Sequence, residues 1–174
     1  MLSEAEGREC AAGLIEKART AGKTVSFDVN FRADIFRDRT AAIAIYREII
    51  EKADIVKFSE DELEIFGEHY VSSLDSLVCV SLGGAGSEWR YKGKTGRVPS
   101  VKVKPVDTTG AGDAFFAGVL TGIDKLAKSD YDETDLNKIF RFANVCGALN
   151  TLGRGAIDNL PSRDDVIKKL REIE

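Results

Sequence analysis

The chain has 174 residues, 43% of them hydrophobic and 31% charged, with 16 Gly, 3 Pro and a formal net charge of −4. That length suits a single domain able to bury its own core, and the composition excludes collagen-like, disordered and low-complexity classes. The acidic balance argues against a nucleic-acid partner, the longest apolar run, 114–120, is far too short to cross a membrane, and Met1-Leu2-Ser3-Glu4-Ala5-Glu6 does not read as a signal peptide.

Residues 4–20 are good helix formers, with Ala11, Leu14, Ile15 and Ala18 at helical spacing, and Gly22 stands where a glycine ends such a helix. Residues 24–30 alternate as a strand whose end carries Asp28, Asn30 and Arg32. Thr40 is placed to cap a helix over 40–52 that turns Ile43, Tyr46, Ile49 and Ile50 inward. Residues 54–58 read as a short strand. Ser59 then caps a helix, and Glu62 three residues on completes a capping box. Residues 77–82 form a continuous apolar strand of the kind covered in a parallel sheet, and Gly83-Gly84-Ala85-Gly86 breaks it. A hairpin over 88–91 and 95–98 turns at Lys92-Gly93-Lys94.

Residues 101–106 are extended, with Lys102 and Lys104 solvated. The segment 107–113, Asp-Thr-Thr-Gly-Ala-Gly-Asp, opens an apolar helix over 114–127, and a second helix covers 133–149. A glycine-containing loop at 151–159 leads to a last helix begun by Pro161-Ser162, with Val166, Ile167, Leu170 and Ile173 on one face. This alternation predicts an α/β domain over 1–174, a parallel-sheet layer with helices on both faces. Cys10, Cys79 and Cys146 lie far apart without a CxxC pair and read as small buried thiols in a reducing, cytoplasmic setting. With His69 the only histidine, zinc is not expected.

The strongest chemical signal is 107–113. Small residues at the start of a helix leave the backbone N–H groups of Gly110 to Asp113 bare, an anion site with the Asp113 carboxylate beside it. Phosphoryl transfer needs that pairing: donors for the charge on the transferred phosphate and a base for the hydroxyl proton. The plainer alternative makes Asp113 a first-turn acid and the glycines packing residues. In the same plain sense Glu62 only completes its capping box, Asp28 and Asn30 only cap a strand end, and Gly83 to Gly86 only turn the chain. Trp89 and Tyr91, alternating on a strand, cover the sheet.

Residues 107–120, Asp-Thr-Thr-Gly-Ala-Gly-Asp-Ala-Phe-Phe-Ala-Gly-Val-Leu, resemble the C-terminal signature of the PfkB (ribokinase-like) carbohydrate kinases. Other segments agree in order. Residues 26–32 are similar to the Asp-x-Asn-x-Arg strand of fructokinase-like members, 53–63 to their Asn-x-x-Glu segment, 80–87 to their strand-to-loop glycines, and 142–157 to the end of the fold.

The resemblance implies an ATP-dependent sugar kinase, a phosphotransferase with an alcohol acceptor, fructose or a related keto-sugar favoured. It makes Asp113 the base that deprotonates the sugar hydroxyl, and Gly110, Ala111 and Gly112 the anion hole. It places Gly83, Gly86, Asn144 and Gly155 around the nucleotide and Arg32 near the phosphate or acceptor. Glu62 organises Mg2+ and phosphate through water. Ser59 stands where many members have Asn. Asp107 and Thr109, with carbonyls near 151–156, match a monovalent-cation site, for which K+ is the candidate ion.

Family members are longer, and their N-terminal half supplies further strands, a Gly-Gly sugar motif and a lid. The chain therefore reads as the C-terminal, nucleotide-binding part of that fold, weak or inactive alone, or alternatively as a non-enzymatic nucleotide-binding or interaction module. The strand at 24–30 would lack a neighbour on one side, from which a homo-oligomer is expected.

Overall fold

The structure, a computed structural model, describes residues 2–128 and 130–173. They fall into two compact units: the chain up to Cys79 with Arg90–Lys94, and Val80–Trp89 with the chain from Thr95 onward. Five strands, β1 (Ser26–Asp28), β2 (Ile55–Ser59), β3 (Leu77–Ser81), β4 (Ser87–Tyr91) and β5 (Lys94–Val98), follow one another in that order across one mixed sheet. β1 and β2 are parallel, with Phe27 opposite Val56 and Asp28 opposite Lys57. The first four of the five residues in both β2 and β3 are buried, which is why β3 is continuously apolar rather than alternating and why β2 is apolar but for Lys57. β4 and β5 are joined through Lys92 and Gly93, at φ 49° and 73°, the paired positive angles of a two-residue hairpin turn.

The helices are α1 (Ala5–Thr20), α2 (Arg39–Ile50), α3 (Glu60–Phe66), α4 (Glu68–Ser72), α5 (Ala111–Leu126), α6 (Glu133–Asn150) and α7 (Arg163–Glu172). The capping box of α3 is present, Ser59 and Glu62 each accepting the other's backbone N–H. The cap of α2 is not Thr40 but Asp38, whose carboxylate accepts from Thr40 N at 2.8 Å and Ala41 N at 3.1 Å. An acid two residues upstream reaches two orphan donors where a hydroxyl reaches one. α5 begins at Ala111, three residues before the apolar run, because Gly110 adopts the left-handed conformation (φ 78°) at its N-cap. α4 is an unanticipated short helix after Gly67. The stretch 101–106 is extended but belongs to no strand, and Cys10 is exposed whereas Cys79 and Cys146 are buried.

In the first unit Ile50, Val56, Phe58, Phe66 and Val71 are fully or almost fully buried. The Phe31 ring meets Tyr46 and Phe66 edge-on at 5.0 and 5.5 Å, geometry that satisfies the ring quadrupoles. In the second unit α5 and α6 form the principal packed pair. Phe115 meets Phe140 edge-on at 5.8 Å, and α7 lays Val166 on Val145 and Cys146. Trp89 is buried, its indole N–H donating to Asn137 Oδ1 at 2.9 Å.

Candidate functional site

A cavity of about 510 Å3 opens in the second unit. One wall is the loop after β3, with Ser81, Gly83, Gly84 and Gly86; a second is the extended segment from Ser100 to Val103 with Pro105. Thr108, Ala111, Gly112 and Phe115 come from the start of α5, and Asn144, Gly147, Ala148 and Thr151 from the end of α6. The size and the small, largely apolar lining suit a small organic ligand. Lys102 is the one charged side chain on the wall among the described residues; it is exposed, as its sequence context suggests, yet it borders the cavity.

The cavity wall thus brings together Gly83, Gly86, Asn144, Ala111 and Gly112, which the sequence singles out. Gly110, Asp113 and Gly155 are not part of that wall. Asn144 is buried and uses its Nδ2 on the carbonyls of Val98 and Pro99, at 3.0 and 3.3 Å. It holds the segment entering the cavity and borders the space itself. Phe115 and Gly147 carry no sequence signal of a ligand role, helical spacing marking them only as packing residues, whereas Thr108 lies within the 107–113 motif and Thr151 opens the stretch whose carbonyls the resemblance gives to a cation.

The loop before α5 is built around Asp107. Its Oδ1 accepts from Thr109 N at 2.9 Å and Thr109 Oγ1 at 2.7 Å, and its Oδ2 accepts from Gly155 N at 3.0 Å. The loop is further tied by Val106 N and Asp107 N, which both donate to the Thr151 carbonyl, at 2.7 and 3.2 Å. Gly110 sits flush against the same second loop, since a Cβ there would lie 2.7 Å from the Ala156 Cβ. The N–H of Ala111 donates to the Thr108 carbonyl at 3.2 Å, closing the turn rather than facing outward. The N–H groups of Gly110, Gly112 and Asp113 take no partner among the described residues. They are the orphan donors of a helix start, and the exposed Asp113 carboxylate stands on the first turn beside them.

Gly155 N–H, then the Thr109 hydroxyl and N–H, hold the Asp107 carboxyl down at about 2, below its ordinary 3.8, with Arg154 adding to the effect. A carboxylate whose folded value is depressed stabilises the fold fully above its ordinary value and loses that contribution as pH falls through the depressed one. The clasp between the two loops is therefore expected to persist to about pH 4 and to be lost by about pH 2. The melting-temperature advantage of the unaltered chain over Asp107→Asn, followed against pH, checks it; an advantage unchanged at pH 2 contradicts it.

The first unit gathers a second set of polar groups. Asp28 receives Lys57 Nζ on both oxygens, at 3.0 and 3.2 Å, across the β1–β2 register. Asp28 is therefore an ion-pair partner of β2. Asn30 follows in the left-handed region at φ 40°, a conformation its short amide tolerates. Glu62 is buried, with Oε1 accepting from Phe31 N at 2.6 Å and Oε2 from Ser59 N at 2.7 Å. It ties the segment after β1 to the start of α3. Burial, then the Glu62 charge, raises the Tyr46 hydroxyl, against the exposed Arg32. Arg32 and Glu62 thus share one neighbourhood.

A family model described as pfkB family carbohydrate kinase matches residues 4–163. Fructokinase-1 of Zea mays is 37% identical over 173 residues, which cover 91% of this chain and 52% of that protein. The fructokinase of Escherichia coli is 33% identical over 175 residues, covering 95% of this chain and 57% of that protein. Among solved structures, a double mutant of the Vibrio cholerae O395 fructokinase, bound to fructose, ADP and potassium ion, superposes with a TM-score of 0.87. It is 29% identical and matches 96% of this chain and 56% of that one. The sugar kinase PH1459 of Pyrococcus horikoshii in complex with ATP superposes with a TM-score of 0.83 at 36% identity, over 99% of this chain and 56% of its own. The chain spans about half the length of the curated relatives it matches.

Proposed function

The chain belongs to the pfkB family of carbohydrate kinases, and on that premise we propose that it binds MgATP and takes part in phosphoryl transfer to a sugar hydroxyl, fructose or a related keto-sugar. The observation that supports this most is the meeting, in one unit, of a ligand-sized cavity and the start of α5, with free backbone donors at Gly110 and Gly112 and the Asp113 carboxylate beside them. In this reading the nucleotide lies along Gly83, Gly86 and Asn144, with Gly155 holding the neighbouring loop through Asp107. Gly110, Ala111 and Gly112 form the cradle, in which fixed donors favour charge growing on the transferred phosphate without having to reorient. Asp113 takes the hydroxyl proton, and Arg32 serves the acceptor or its phosphate.

The donor set suits a divalent ion held by phosphates and water rather than by a protein cage. Among the described residues no three His, Cys, Asp or Glu side chains cluster for a metal, and both Glu62 oxygens already accept backbone N–H groups. Glu62 would act on such an ion through water, with its remaining lone pairs. The chemistry Mg2+ supplies is neutralisation of phosphate charge. The Asp107 carboxylate and the loop of Thr109, clasped to 151–156, fit a monovalent cation such as K+.

Among the described residues no helix is long and apolar enough to cross a membrane; a cytoplasmic setting is part of the proposal. A second reading is a nucleotide-binding or interaction module without catalysis of its own. Calorimetry with MgATP, followed by an ADP-release assay with fructose, separates the readings. Binding with turnover supports the kinase, binding without turnover the module, and no heat at millimolar nucleotide contradicts both. Among the described residues β1 ends the sheet with one side unpaired, so we also propose a homo-oligomer; light scattering that gives a monomer across concentration would exclude it.

A further inference from the structure

We propose that Asn150, the last residue of α6, is a positioning residue that sets the direction of the Gly110 N–H in the anion cradle; this rests on the kinase reading above. Asn150 is wholly buried. Its Nδ2 donates to the carbonyl of Thr109 at 3.1 Å, across 41 positions of sequence. Its Oδ1 is buried and has no hydrogen-bond partner among the described residues. The opposite amide orientation would set an oxygen against the Thr109 carbonyl, so the donor assignment is the favourable one.

Two physical points give this contact its meaning. In a trans peptide the C=O and the following N–H point in opposite directions. Tying the Thr109 carbonyl down to Asn150 therefore turns the Gly110 N–H the other way, where it meets no partner. The glycine at 110, in the left-handed region, leaves the peptide before it little resistance to rotation, so an anchor on the carbonyl is what fixes its plane. The second point concerns stability. A buried amide oxygen left unpaired is a cost that an apolar side chain of the same shape would avoid. As a packing residue Asn150 is a poor choice. As a donor to one carbonyl it suits a loop whose bonds to Asp107 and to the Thr151 carbonyl all lie before that peptide, and whose one bond across it, Ala111 N to the Thr108 carbonyl, closes a turn that leaves the central peptide free to face either way.

The test is a ratio of affinities, measured by calorimetry on the whole chain with magnesium. The probes are ADP and an imido-bridged ATP analogue that adds the third phosphate. Asn150→Leu keeps the shape, removes the donor and removes the unpaired oxygen. The analogue's advantage over ADP is expected to fall about tenfold, the worth of one charge-assisted hydrogen bond, with ADP affinity and melting temperature retained. Asn150→Ala, which needs no new branched side chain in the core, is read by the same ratio should the leucine variant not fold. An unchanged ratio in a folded variant overturns the proposal. So does a parallel fall in both affinities, which marks a merely structural residue, or an unaltered chain that binds ADP but gains nothing from the third phosphate. An unaltered chain that binds neither probe overturns the kinase reading itself and the role of Asn150 with it.

Discussion

Asp113→Asn is expected to lower phosphotransfer to the sugar hydroxyl by about 10²–10⁴-fold while leaving nucleotide affinity in place. Asp113 is the third residue of α5 and exposed. Its side chain makes none of the loop's hydrogen bonds, which are carried by Asp107, Thr109, Asn150 and Thr151. The asparagine matches its size, so what is lost is a proton acceptor and one negative charge near the positive end of a helix. The charge contributes only about 0.3–1 kcal/mol at an exposed helix start, far less than a base contributes to the rate. Turnover with fructose and a melting curve on the same preparation separate the two effects. A variant that turns over at the original rate would remove Asp113 from the role of base.

The second large effect is expected at Gly86, for a reason that lies wholly in the backbone. Gly86 has φ 106°, and a Cβ there would overlap the Val98 carbonyl oxygen and lie 2.7 Å from Ser100 N and 2.8 Å from the Pro99 carbonyl carbon. None of these is a side chain that can swing aside. The loop is also closed from within, Leu82 N donating to Gly86 O at 2.9 Å and Gly86 N to Gly83 O at 3.1 Å. Gly86→Ala should therefore cost about 3 kcal/mol or more, a fall in Tm of roughly 6–12 °C for a chain of this size, and should abolish nucleotide binding by moving two cavity walls apart. Gly84 provides the control. It lies in the same loop with no positive φ and nothing within 4 Å of an added Cβ, so Gly84→Ala should melt close to the unaltered chain. Equal melting of the two variants would show that the loop yields.

What was legible in the sequence is what depends on neighbours a few residues apart. The Ser59–Glu62 box, the start of α7 at Ser162, the hairpin at Lys92–Gly93, the short strand β2 and the apolar strand β3 follow from spacing alone. Even there competition misleads: Asp38 and Thr40 are both good caps, and reach decides for the acid. The motif 107–113 was visible as an anion loop. Its suspension was not: Asp107 reaches Gly155 across 48 positions and Asn150 reaches Thr109 across 41. Such partners are fixed by how helices pack, and no period or spacing announces them. For the same reason Glu62 reads as a cap and turns out also to hold Phe31, 31 positions away. Lys102 borders the cavity from a segment whose pattern suggests only solvent.

The contact of α5 with α6 has a consequence for where motion can occur. At Gly118 a Cβ would lie 2.8 Å from the Ala143 Cα, and at Gly147 one would lie 3.0 Å from the Ala111 carbonyl oxygen. At these two points backbone meets backbone, and the Phe115–Phe140 ring contact is held in the same seam. A helix seated in this way cannot slide by a turn or tilt without lifting off its neighbour, so the two move as one beam. Its amides should be among the last to exchange with solvent deuterium, opening only when the unit as a whole unfolds. Any breathing of the cavity is left to the strand-end loop and the 99–106 segment opposite, while the helix end that borders it keeps a fixed address.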